Sequence, residues 1–222
     1  MKYQDFREYI YQYKSLEKVE GNTLSSLVEE VDESCLTLLS HAVLCGNFEA
    51  CKLLISHGSN VNIQDSDGNT PLIEACLNSY YEIVKLLLKS KANPNISNSS
   101  GETPISSAAS IGCLVIIDLL VEHGADVNTV DNLGSSPLMW ALSSFCVQAA
   151  YRLIEYGALV DTRDNQGLHT IQYSLKMRDS ELIKELLGNI TLSENTFNKI
   201  IKDLDCLDKD YKEILKNSCD RR

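Results

Sequence analysis

A stride of 33 residues runs through this chain and constrains its fold more than any single motif. From Gly68 it reaches Gly101, Gly134 and Gly167; from Asn62 it reaches Asn95, Asn128 and Asp161; from Ala42 it reaches Ala75, Ala108, Ala141 and Ser174. A fixed period of roughly 20–50 residues marks an array of repeated units, each too small to bury its own apolar face.

The copy from Asp65 to Asn98 shows what one unit must be. Asp65-Ser66-Asp67-Gly68 is turn chemistry, with short polar side chains followed by a glycine that accepts positive φ. Thr70-Pro71 then starts a helix, Thr as the N-cap and Pro at the first helical position, where the lost amide had no partner. Leu72, Ala75 and Cys76 give that helix an apolar face, and Asn78-Ser79 break it. Ile83, Val84, Leu86, Leu87 and Leu88 form the buried side of a second helix. The other copies end this second helix in Gly58, Gly124 and Gly157, the expected left-handed cap. Each unit is thus a turn and two short antiparallel helices, neither long enough to stand alone in water.

Gly68-Asn69-Thr70-Pro71-Leu72, Gly101-Glu102-Thr103-Pro104-Ile105 and Gly134-Ser135-Ser136-Pro137-Leu138 recur with the ends Gly58-Ser59-Asn60-Val61-Asn62 and Gly124-Ala125-Asp126-Val127-Asn128. In these residues the chain resembles the ankyrin repeat family, over roughly Val31 to Ile190. The resemblance implies an all-α solenoid: a curved stack of helix pairs with a row of β-turn fingers and a protein-binding role without catalysis. The family usually carries a histidine after Thr-Pro-Leu that bridges neighbouring turns. Here Ser40, Ile73, Ser106, Met139 and Gln172 hold that position. The expectation is a stack without the histidine network, less stable than a family-average array and fraying first at its ends.

Five repeats are expected, over 31–64, 65–97, 98–130, 131–163 and 164–190, flanked by helical caps over 1–30 and 191–222. In the first repeat Cys35 replaces the turn glycine and Leu38 the proline; in the fifth, His169-Thr170 replaces Thr-Pro. In the N-terminal cap, Phe6, Tyr9, Ile10 and Tyr13 lie at helical spacing, as do Leu24, Leu27, Val28 and Val31, with Gly21-Asn22 between the two helices. In the C-terminal cap, Ser193 starts a helix bearing Phe197, Ile200, Ile201 and Leu204, and Asp208 one bearing Tyr211, Ile214 and Leu215. These last helices are either a plain cap or a docking motif for a larger assembly.

Charge and cysteine usage narrow the function. A net charge of −11 argues against duplex nucleic acid and against an anionic membrane surface, and permits a basic protein partner. The uncharged run from Asn132 to Tyr151 is long enough to span a membrane, but its serines, Pro137 and Gln148 fall in register with the repeat, so it is read as a buried helix pair. The first ten residues, MKYQDFREYI, carry charges where a signal peptide needs an apolar core. The eight cysteines show neither CxxC nor Cys/His ligand spacing, so reduced, structural thiols and a cytoplasmic location are expected, with the nucleus or a host-cell cytosol as variants. His57 and His123 precede a helix-ending glycine, where a polar side chain shields the last carbonyls.

No GxGxxG, GxxxxGK[ST], HExxH or GxSxG occurs, so no catalytic residue, metal ligand or cofactor is expected. The function expected is that of a monomeric module that binds a protein through its concave groove and fingers. Two variants of that function are a regulator that covers a host enzyme or transcription factor, as a microbial or viral effector does, and an adaptor that docks through its C-terminal helices. The partner-binding residues expected are Leu44, Asp67, Asn69, Leu77, Asn78, Glu102, Ile111, Leu133, Trp140, Leu168 and Met177, centred between Leu77, Ile111 and Leu133. Several are apolar at positions that repeat packing does not require, which is how a binding surface looks. Trp140 and Tyr173 are either groove contacts of hot-spot type or plain packing residues.

Overall fold

The computed structural model describes residues 26–175 and 179–188, together with Gln4, Arg7, Glu8 and Ile10. Among these residues the chain is ten helices in five pairs, with no sheet. The pairs are α1 (Leu38–Leu44) with α2 (Phe48–Ser56), α3 (Pro71–Leu77) with α4 (Tyr81–Lys89), α5 (Pro104–Ile111) with α6 (Leu114–Glu122), α7 (Pro137–Ser143) with α8 (Val147–Glu155), and α9 (Thr170–Ser174) with α10 (Ser180–Gly188). First helices pack on first helices, α1 on α3, α5, α7 and α9 in turn; the second helices α2, α4, α6 and α8 form a parallel layer behind them.

The 33-residue stride is a stride through the core. Leu39, Leu72, Ile105, Leu138 and Ile171 are fully buried in the first layer; Leu54, Leu87, Leu120, Leu153 and Leu186 are fully buried in the second. Cys51 takes the place that Val84, Ile117, Ala150 and Ile183 hold in the other copies, and Cys76 that of Val43, Ala109, Leu142 and Leu175. Both cysteines are therefore core spacers. The first helices start alike, with Thr37, Thr70 and Ser136 accepting the backbone N–H of Ser40, Ile73 and Met139. In the fifth copy His169 takes over as N-cap and Nδ1 accepts from Ile171 N at 3.3 Å. Among the second helices, Asn47 accepts from Ala50 N and Asp179 from Leu182 N, but Tyr80, Cys113 and Cys146 make no capping bond, so packing must hold those three ends.

Ahead of each first helix stands a finger of one repeated design. Asp32, Asp65, Asn98, Asp131 and Asp164 each receive two backbone N–H bonds on one side-chain oxygen, from the residues two and four further on. Neighbouring fingers are joined by backbone bonds from Ser66 N to Ser34 O (3.1 Å), Ser99 N to Asp67 O (2.9 Å), Asn132 N to Ser100 O (2.9 Å) and Asn165 N to Leu133 O (2.8 Å). On the opposite edge Asn62, Asn95 and Asn128 each reach into the next copy, accepting from Asn93, Asp126 and Leu159 N at 2.8 Å. These two ladders bridge neighbouring copies.

Two expectations change. Val31 is not on a helix face; it forms an isolated bridge with Thr37 and is exposed, because it leads directly into the Asp32 finger, as Arg163 does opposite His169. Leu86 is only half-buried. Of the N-terminal cap, Ile10, Leu27 and Val28 are buried, and Asn47 donates to the Ile10 carbonyl. Phe6, Tyr9, Tyr13, Gly21, Asn22 and Leu24 lie outside the described residues, as do the expected C-terminal helices with Ser193, Phe197, Ile200, Ile201, Leu204, Asp208, Tyr211, Ile214 and Leu215.

Candidate protein-binding surface

One face of the array is built from the fingers, the adjoining sides of the first helices, and the turns that follow those helices. At the finger base of the first, fourth and fifth copies, the first helix sends a side chain nine residues beyond the finger Asx back towards it. His41 Nε2 meets Asp32 Oδ2 at 2.9 Å, Trp140 Nε1–H donates to Asp131 Oδ2 at 3.0 Å, and the Tyr173 hydroxyl donates to Asp164. In the second copy Glu74 holds this position and receives Asn69 Nδ2–H at 3.0 Å. Asn69 also accepts from Asn98, which in turn donates to Glu102, so these polar groups form one chain across two fingers.

This network sorts the expected partner-binding residues. Leu44, Asp67, Leu77, Asn78, Ile111 and Leu133 are exposed. Asn69, Glu102, Trp140 and Leu168 are half-buried. Of these, Asn69, Glu102 and Trp140 have polar atoms engaged in holding the fingers, and Leu168 contributes its amide to Asp164. Met177 lies outside the described residues. The structure adds Phe145 and Val130, the most exposed large apolar side chains on this face at 61% and 60%. Val130 stands in the finger column of Val31. Phe145 was hard to read because its column holds Gly46, Ser79 and Gly112; it takes their left-handed conformation at φ +62° and its ring is left outside. The remaining exposed apolar groups, Val115, Leu159 and Tyr156, belong to the second-helix layer and its loops.

The face is also acidic. The finger and first-helix segments of the first four copies, 32–46, 65–79, 98–112 and 131–145, carry seven carboxylates and no Lys or Arg, and the corresponding stretch of the fifth, 164–178, carries Asp164, Lys176 and Arg178. The second-helix and loop segments, 47–64, 80–97, 113–130 and 146–163, carry seven carboxylates and six Lys or Arg. The asymmetry between layers is thus larger than the net charge alone conveys. Burial pushes the Glu74 pKa up, and Asp65 and Asp67 push it further, against the Asn69 hydrogen bond that favours the carboxylate. Burial also opposes ionisation of Asp32, but the Leu36 and Ser34 amides and the His41 ring outweigh it and its pKa is lowered. Burial lowers His41 against the pull of Asp32, so the pair is a neutral imidazole donating to a carboxylate.

Burial pushes the Cys51 thiol up to about 12 and the Cys76 thiol up as well, so neither is a thiolate at neutral pH. His57 and His123 place Nδ1 2.9 Å from the carbonyls of Leu53 and Leu119, the end-of-helix role expected of them. Among the described residues no group of three or more His, Cys, Asp or Glu is placed to hold a metal ion, and no helix is long and apolar enough to cross a membrane.

A family model of ankyrin repeats in three copies matches residues 17–98 and 91–164, well over half of the chain. The protein therefore belongs to the ankyrin-repeat family, whose arrays are generally protein–protein interaction modules. No curated protein matches it significantly.

Proposed function

We propose that this chain is a non-catalytic module that holds a protein partner against the fingers and first helices of its repeats. The observation that carries the reading is the apolar row Leu44, Leu77, Ile111 and Phe145, one side chain per repeat, exposed on a face whose core is already filled. Exposed apolar groups in a row, rimmed by polar fingers, gain most when a partner removes them from water. The fingers are tied by backbone bonds to one another, so little entropy is lost in ordering them at an interface. The location that fits core thiols at Cys51 and Cys76 is a reducing one, the cytoplasm.

The test is capture of partners from a cell lysate by the wild-type chain and by the double variant Leu77→Asp, Ile111→Asp. The variant is expected to bind at least about tenfold more weakly, roughly 1.4 kcal/mol. Its melting temperature should stay near wild type, since both side chains are exposed. A variant that folds normally and captures the same proteins equally well would move the site off this face.

A further inference from the structure

The apolar row and the carboxylates of the same face both advance by about one repeat at each step. Leu44, Leu77, Ile111 and Phe145 follow one another at 33, 34 and 34 residues, and Glu33, Asp67 and Glu102 at 34 and 35. Each row therefore advances one repeat at a time, and drifts slightly along the repeat in the same direction. One row runs along the fingers and the other along the far ends of the first helices, with Glu74 on the floor between them. In the fourth copy the charge is replaced by exposed Leu133 and Val130. The face thus has an acidic edge over the first three repeats, an apolar edge over all four, and an apolar end.

Packed helices lie about 8–10 Å apart, which sets the step along each row. A partner helix rises about 10.5 Å in seven residues and returns to nearly the same side, so one apolar and one basic residue per heptad meet one repeat each. An extended strand covers a similar distance in about three residues, which turns every second contact away from the surface. We propose that this face takes a basic amphipathic helix of a partner protein. Its apolar edge lies on Leu44, Leu77, Ile111 and Phe145, its Lys or Arg edge faces Glu33, Asp67 and Glu102, and its uncharged end lies over Leu133. The chain's own flanks do not supply that charge: residues 1–25 carry four basic and four acidic side chains, and residues 191–222 seven of each. The proposal rests on the protein-binding reading above and specifies the partner's chemistry.

The probe is a fluorescent synthetic helix of about three heptads, with leucine at seven-residue spacing, a lysine edge and alanine elsewhere. Its binding to the full chain is read by anisotropy beside two relatives, one with glutamate for lysine and one with the leucines moved out of heptad register. The lysine heptad peptide is expected to bind, and the other two at least about tenfold more weakly. Glu33→Lys with Asp67→Lys, both at exposed finger sites, should weaken it by a similar factor. Glu82→Lys with Glu122→Lys makes the same net charge change at exposed sites of the second-helix layer and should alter binding less than about twofold. Equal losses from both reversals, equal binding of either control peptide, or no binding of the lysine peptide would each overturn the proposal. If the lysine peptide fails while lysate capture still depends on Leu77 and Ile111, the protein-binding reading stands and the basic helix falls. If capture does not depend on them, both fall.

Discussion

Gly101 has φ +83°, and a Cβ built there would lie 2.8 Å from the backbone nitrogen of Asn132 in the next finger. Gly124, at the end of a second helix, has nearly the same φ of +86° but nothing within 4 Å of that position. One glycine is needed for both conformation and space, the other for conformation alone. Gly101→Ala is therefore expected to cost about 3 kcal/mol or more and Gly124→Ala about 1 kcal/mol, measured by urea unfolding. Lys91 already occupies the helix-end column at φ +68°, consistent with a milder demand there. Equal costs at the two sites would refute the distinction. Glu74 supplies a second residue-scale test. Its pKa is raised in the fold, so the ionised form is disfavoured relative to the unfolded chain; its contribution is best when protonated and worsens as pH rises through the unfolded and then the folded value. Glu74→Gln should raise the melting temperature at pH 7, and the gain should vanish below about pH 4, where the unfolded-state carboxyl is also protonated. A variant less stable than wild type at pH 7 would show that the hydrogen bond from Asn69 outweighs the burial and the neighbouring charges. At this scale the sequence was most readable where one residue type has one cause. Pro at the start of a helix and Gly at its end have one cause; Ser79 and Phe145 in left-handed conformation do not, because neither side chain advertises it.

The helix pairs themselves were legible because the apolar columns repeat at the stride, and each column is a line of side chains buried between copies. What joins the copies was less legible. The recurring Asn62, Asn95 and Asn128 look like turn residues along the chain, yet their partners lie about one repeat away: Asn95 Oδ1 accepts from Asp126 N and Nδ2–H donates to the Gly124 carbonyl at 2.9 Å. A hydrogen bond across 31 or 29 residues has no local sequence signal. Asn95→Ala removes both bonds from an exposed site and is expected to cost about 1–2 kcal/mol in urea unfolding. An exposed asparagine that made no such bonds would change stability by less than about 0.5 kcal/mol, so a value that small would deny the ladder a role. The candidate surface divides the same way. Exposure of Leu44, Leu77, Ile111 and Leu133 follows from repeat register, whereas Asn69, Glu102 and Trp140 share polar bonds with the fingers that only the folded chain assembles.

Among the described residues the principal helix contacts run between neighbouring copies, so stability is close to a sum of unit and interface contributions. The middle copies keep Pro at the start of α3, α5 and α7 and have a neighbour on each side. The fifth copy starts with His169 and Thr170, and its first helix is five residues long. Its two interior columns nevertheless continue, with Ile171, Ile183 and Leu186 fully buried, so it is docked through its core. Hydrogen exchange should separate these two contributions. Amides of α5 and α7 are expected to exchange only through the largest openings, and those of α9 through smaller local ones. Ile105→Ala, at a fully buried site between two neighbours, should lower stability by about 2–5 kcal/mol and speed exchange across the middle copies. Ile171→Ala removes the same atoms from the same column in the copy whose first helix is shortest. It should speed exchange mainly in α9 and α10 and leave α3 to α6 near wild type. Uniform acceleration along the chain by both variants would mean that the array opens as one unit, and that the short fifth helix pair is as firmly coupled as the rest.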